Sequence, residues 1–284
     1  MSVRSVASLA LVALAAAAAP PTAAQLPVSV AKATGQTVTP AFEGWYRNAD
    51  GSFSISFGYL NRNAEEVVSV PIGAANRVEP GPPNQGQPTE FQPGRHWGVF
   101  AVRVPADFGS KEVTWTIELR GAKYAIPGNL RPNWQIDALD GEAGSGNTPP
   151  ALKFDANGPE GRGPLGITSD PVSASAGVPV TLTVWARDDG KPSTSVGSGG
   201  RSNVPVTVTW LAYQSPPAAA GRGVTFTPPS SQVPVSGGQA STQATFNATG
   251  DYLVRVRAND ASGVTGAGHA QCCWTNAFVK VVVK

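Results

Sequence analysis

Apolar residues recur at every second position in short runs along this chain. In Gly250–Asn259, Tyr252, Val254 and Val256 alternate with Leu253, Arg255 and Arg257. A period of two sends alternate side chains to opposite faces, so this run predicts a strand with one buried and one solvated face. Gly250 opens it and Asn259-Asp260 closes it with turn-forming residues. Upstream, Val180, Leu182 and Val184 share a face, as do Val206, Val208 and Trp210. Further strands are predicted over 223–227, 240–246 and 277–283. Near the start of the chain the turn Asn48-Ala49-Asp50-Gly51 joins a strand at 42–46 to one at 52–60. Phe53, Ile55, Phe57 and Tyr59 point one way, and Ser52, Ser54, Ser56 and Gly58 the other. Burying such apolar side chains contributes about 1.5–3 kcal/mol each. The aromatic face is therefore read as core rather than as a platform for sugar rings. Strands over 27–31, 65–72, 97–104, 112–119 and 122–126 complete the set.

Short strands at regular spacing with turn residues between them predict an all-β protein built of antiparallel sandwiches. The length of 284 residues suits two tandem sandwich domains. We place them at 26–138 and 170–284, with a Gly/Pro-rich linker over 139–169. The stretch 77–94 is so dense in Pro and Gly that no regular element is expected there. A loop of that length is either functional or inert. Gln85, Gln87 and Phe91 are its candidate ligand-binding residues.

The run Gly250-x-Tyr252-x-Val254-x-Val256-x-Ala258-x-Asp260-x-x-Gly263 resembles the penultimate strand of a PKD-type, immunoglobulin-like β-sandwich domain. Trp210 falls where that family carries its core tryptophan. The resemblance implies an extracellular spacer, adhesion or binding module, seldom an enzyme. Two departures stand out: Gln271-Cys272-Cys273-Trp274 lies in a longer loop than usual, and the aspartate-rich turns of some members are missing. The N-terminal half resembles a family of uncharacterised secreted bacterial proteins through Phe42-Glu-Gly-Trp-Tyr46, Phe57-Gly-Tyr-x-Asn-Arg-Asn63, Gly86-Gln-Pro-Thr89 and Gly98-Val-Phe100. That likeness implies no activity.

Residues 1–24 read as a signal peptide: Arg4, an Ala-rich apolar run from Val6 to Ala19, then Thr22-Ala23-Ala24 before Gln25. The apolar run is shorter than the roughly 20 residues of a membrane span. The expected product is exported, periplasmic or extracellular, and not an integral membrane protein. A formal net charge of +2 gives no electrostatic footprint for nucleic acid. The two cysteines are adjacent, so no disulfide framework staples the fold.

An immunoglobulin-like topology brings the ends of the second and sixth strands, the incoming linker and the cysteine loop to one pole. Asp188, Asp189 and Asp260, with Asp170, are the candidate ligands of a Ca²⁺ ion there, since Ca²⁺ takes 6–8 oxygen ligands. The alternative is that these residues cap turns. Cys272 and Cys273 form either a vicinal disulfide or two buried thiols. A disulfide ring beside Trp274 would make Cys272, Cys273 and Trp274 an apolar ligand platform. Zinc, with His269 as a third ligand, fits the usual spacing poorly. The match Gly161-x-Gly163-x-x-Gly166 lacks a surrounding βαβ unit and is rejected as a dinucleotide site. His96 and His269 lie in different domains, and no nucleophile elbow, H-E-x-x-H helix or Walker loop is present. Glu43, Asp50, Glu65, Glu66 and Asp107 are the candidates for a spatially assembled hydrolase pair. We expect a non-enzymatic binding, adhesion or spacer protein of the bacterial envelope or extracellular space. A carbohydrate-binding accessory role in polysaccharide breakdown is the alternative, and a hydrolase the third reading. The expected partner is polysaccharide or another envelope protein.

Overall fold

The computed structural model describes residues 32–141, 146–191, 203–221, 223–260, 262 and 272–284. The signal-peptide reading, the strand at 27–31 and His269 lie outside the described residues. The N-terminal half contains β1 (Val38–Arg47), β2 (Phe53–Asn61), β3 (Val68–Ser69), β4 (Asn76–Glu79), β5 (Glu90–Phe91), β6 (Gly94–Val104), β7 (Val113–Leu119) and β8 (Ala122–Gly128). The C-terminal half contains β9 (Ala151–Lys153), β10 (Ile167–Thr168), β11 (Val172–Ala174), β12 (Val180–Arg187), β13 (Val206–Gln214), β14 (Val224–Thr227), β15 (Ser230–Val233), β16 (Gly238–Phe246), β17 (Gly250–Asn259) and β18 (Trp274–Val283). The protein is an all-β sandwich structure.

In the N-terminal half, sheet β1-β2-β6 faces sheet β4-β7-β8, with β3-β5 as a short ribbon. The alternation of β2 is realised: Ile55, Phe57 and Tyr59 are buried in the core between the sheets. Phe57 stacks on Phe100 and meets Trp115 edge-on. Such aromatic pairs contribute beyond the area they bury. The strand expected over 65–72 is only Val68–Ser69. The amides of Glu65 and Glu66 instead bond to the Ala33 carbonyl, and the Val70 amide to Thr89. The stretch 77–94 differs from expectation at its ends. Most of β4, all of β5 and the start of β6 lie within it. Pro and Gly are concentrated in its middle, which leaves these ends free to pair.

In the C-terminal half, sheet β14-β16-β12-β9 faces sheet β10-β18-β17-β13-β15, with β11 also on β18. Leu182, Val184, Val208, Trp210, Val254, Val256, Val279 and Phe246 share its core. Within 139–169, residues 151–153 pair with β12, and Ile167–Thr168 run parallel to β18.

The main departure from the alternation is on β17. Tyr252, Val254 and Val256 face the sandwich core, yet the opposite face is not solvated: Arg255 is 1% exposed and Arg257 9%. The N-terminal half covers it. Ser54 and Ser56, on the polar face of β2, are also fully buried, and Ser54 bonds to Asn48. The described residues belong to one compact unit.

Candidate functional site

The seam between the two halves is built on a break in the β2–β6 ladder. Register shifts there between Phe57 and Tyr59. Gly98 lies in the resulting bulge with φ +47, a left-handed conformation that suits glycine. A side chain at Gly98 would come within 2.0 Å of Cζ2 of Trp274. The carbonyl of Gly98, released from the ladder, accepts three hydrogen bonds from the other half. They come from Asn276 Nδ2 at 2.8 Å, Trp274 Nε1 at 3.2 Å and Arg255 Nη2 at 3.4 Å. Arg255 Nε also donates to Asn276 Oδ1 at 2.9 Å. Trp274, Asn276 and Phe278 share the outer face of β18 by strand alternation.

The Pro-rich loop forms the second contact. The Thr89 amide donates to the Tyr213 carbonyl, Ser215 N to Thr89 Oγ1 and Gln214 Nε2 to the Gln87 carbonyl. The rings of Tyr213 and Phe278 lie 5.3 Å apart beneath it. Gln87 is fully buried: its Oε1 takes the Gln85 amide, and its Nε2 donates to Pro83. Gln85, partly exposed, donates to the carbonyls of Val78 and Pro80. Phe91, also fully buried, packs on Tyr59 and Trp115. The polar atoms of this loop hold it against the C-terminal half.

Cys272 and Cys273 are joined as a vicinal disulfide. Both are buried, and their sulfurs lie 3.7 and 3.2 Å from the Asn147 carbonyl oxygen. Trp274 is buried beside them against Gly98, so this trio is interior rather than a platform on the surface. Asn147 Nδ2 donates to Asp260 Oδ2 at 2.6 Å, and Thr148 donates twice to Asp189 Oδ2. The pole thus gathers Asp188, Asp189, Asp260, the incoming chain and the disulfide. Burial pushes the Asp188 carboxyl up to about 6, helped by the charges of Asp260 and Asp189. One Asp188 oxygen takes the Gly190 amide, and the other is buried without a hydrogen bond. Asp170 is not brought to this pole. It is exposed where the chain passes from β10 to β11, opposite the middle of β18. At about 3.3 Å per residue, that is on the order of 20 Å from Cys273. Among the described residues, no group of three or more His, Cys, Asp or Glu side chains is placed to hold a metal ion.

The carboxylates considered for hydrolysis sit apart with separate partners. Glu43 is buried and held by Arg95 at 2.7 Å; burial raises its carboxyl to about 7 against the pull of Arg95. Asp50 bonds to Ser52 and faces Arg103. Glu66 pairs with Arg120, while Glu65 and Asp107 are exposed. His96 stacks on Tyr59 with ring centroids 4.8 Å apart. Burial, reinforced by the charge of Arg255, pulls the His96 imidazole down to about 4.

The residues that sequence reasoning missed are Gly98, Asn276, Arg255 and Arg257. A signal did exist. Apart from Lys280, β18 is apolar on both faces towards its end and opens on Trp274. Strands buried on both sides read as near-continuous apolar runs. The pattern could not reveal that β17's arginines share that cover.

Among the described residues, no helix is long and apolar enough to cross a membrane. No protein-family model matches the chain, and no curated protein does. Among solved structures, the chain is similar to the D00-D0 domain of intimin at 15% identity and a TM-score of 0.26, covering 87% of this chain and 100% of that one. It is also similar to domains 4 and 5 of the S-layer protein SbsC, at 11% identity and a TM-score of 0.23, covering 87% and 98%. Titin A168-169 matches at 11% identity and a TM-score of 0.23, covering 86% and 98%.

Proposed function

We propose that this chain is an exported, non-enzymatic binding or spacer protein of the bacterial envelope or extracellular space. The observation that carries the reading is the seam. A bulge carbonyl with three donors and a loop hydrogen-bonded to β13 couple the two sandwiches side chain by side chain. Flexibly linked domains generally meet through smaller and more mobile interfaces. A fixed relation between two sandwiches suits a protein that holds partners at a set spacing. Fractionation of a bacterial host expressing the full chain tests the compartment. The processed form is expected in the periplasm or medium, and an unprocessed cytoplasmic product would sink the proposal.

One observation favours a carbohydrate-binding role as the second reading. Trp185 of β12 is half-buried in a shallow groove of about 150 Å³ with Lys153, Arg187, Gly237 and Gly238. A flat aromatic face beside small residues and hydrogen-bonding side chains suits an amphipathic ring. Retention of the mature chain on insoluble glycans, lost in Trp185→Ala, is the expected result. Equal retention of both proteins would remove Trp185 from the reading.

A further inference from the structure

We propose that Arg257 anchors a buried site for a small oxyanion between the two halves. Arg257 is 9% exposed, and its Nε is buried without a hydrogen-bond partner among the described residues. Arg255 lies two residues away on the same face, roughly 6–7 Å along the strand, and is 1% exposed. Its bonds go to an amide and a carbonyl, both neutral. Among the described residues, no carboxylate pairs with either guanidinium. Glu43, the buried acid on the facing sheet, is taken by Arg95.

Two buried positive charges without a counter-charge are costly, and buried charges are otherwise paired. The chain itself offers little to pair them. In the segments outside the described residues, Glu142 is the only acid. A diffusible anion fills the need. Around Arg257 stand other groups without partners. Both amide atoms of Asn259, the next residue on that face, are buried and unbonded, as is Nδ1 of His96. His96 stacks on Tyr59, and the charges of Arg255 and Arg257 are felt by both rings. Thr209, directly across from Arg257, lines a cavity of about 460 Å³ together with Gln92 and Leu211. That cavity opens beside the strand pair that carries Arg257, although Arg257 itself does not line it. Its one carboxylate, Glu90, is bonded to Ser69. A guanidinium with free donors matches the planar, multi-oxygen face of phosphate, sulfate or a carboxylate better than a halide.

The test is thermal unfolding and calorimetric titration of the full chain with inorganic phosphate, sulfate, acetate or chloride at matched ionic strength. A saturable rise in melting temperature with at least one oxyanion, absent with chloride, is expected. The arms among the oxyanions identify which group the site takes. Arg257→Met should weaken that binding about tenfold or more, the usual scale for a charged hydrogen bond. Asn259→Asp, which supplies an internal carboxylate beside Arg257, serves if that variant fails to fold. It should lose the oxyanion response and melt higher than the wild type without added anion. No oxyanion-specific rise, or Asn259→Asp keeping the wild-type response, would overturn the proposal.

Discussion

Gly98 shows how one residue sets the seam. Its left-handed φ and the indole edge against its Cα leave room for hydrogen alone. Gly98→Ala adds a methyl into the Trp274 ring, and overpacking of that kind typically costs about 1–3 kcal/mol. The positive φ costs about 1–2 kcal/mol more. Gly86→Ala is the matched control, since Gly86 has φ +95 and nothing within 4 Å of an added Cβ. Urea unfolding should show Gly98→Ala destabilised by about 2–5 kcal/mol and Gly86→Ala only by the backbone share. Equal losses would mean that Trp274 moves aside without cost. The sequence shows a glycine between Trp97 and Val99 but cannot show which ring meets it, because the partner is 176 residues away.

At the scale of elements, alternation located most long strands and their core faces, since the period of two is local. The C-terminal ends of β12 and β17 also met as the topology implied, bringing Asp188 and Asp260 within electrostatic reach. Asp170 failed to join because β10 and β11 pair with the middle and end of β18, a register that no local pattern records. The outer face of β17 was misread for the same reason. An arginine face reads as solvated until a second sheet covers it. The pole gives a pH prediction. Asp188's folded pKa, about 6, lies above its ordinary value of 3.8, so the folded state binds the proton more tightly. Its contribution to stability is complete below the unfolded pKa and is lost as pH rises through about 6. Asp188→Asn should therefore flatten the fall in melting temperature between pH 4 and 7 and raise stability at neutral pH. An unchanged slope would show that Asp188 is ordinarily solvated. Melting the same two proteins with Ca²⁺ or chelator tests the pole as a cation site. Ligation by Asp188 would give the wild type a rise that the variant loses.

At the scale of the whole molecule, the seam decides whether the sandwiches act as one thermodynamic body. Tyr213 belongs by chain to the C-terminal half but is buried with the N-terminal core, alongside Phe278. Its carbonyl takes the Thr89 amide, and its ring packs on Phe278. Losing such a side chain costs about 3–5 kcal/mol by analogy with Phe→Ala in cores. That loss would fall on the interface rather than on either sheet pair. The wild type should unfold in one calorimetric transition whose van't Hoff and calorimetric enthalpies agree. In Tyr213→Ala the transition should split, with the N-terminal half, whose core loses Tyr213, melting first. A wild type that already melts in two steps would show that the seam joins the halves in space but not in stability. A single lowered transition in the variant would place Tyr213 inside one common core.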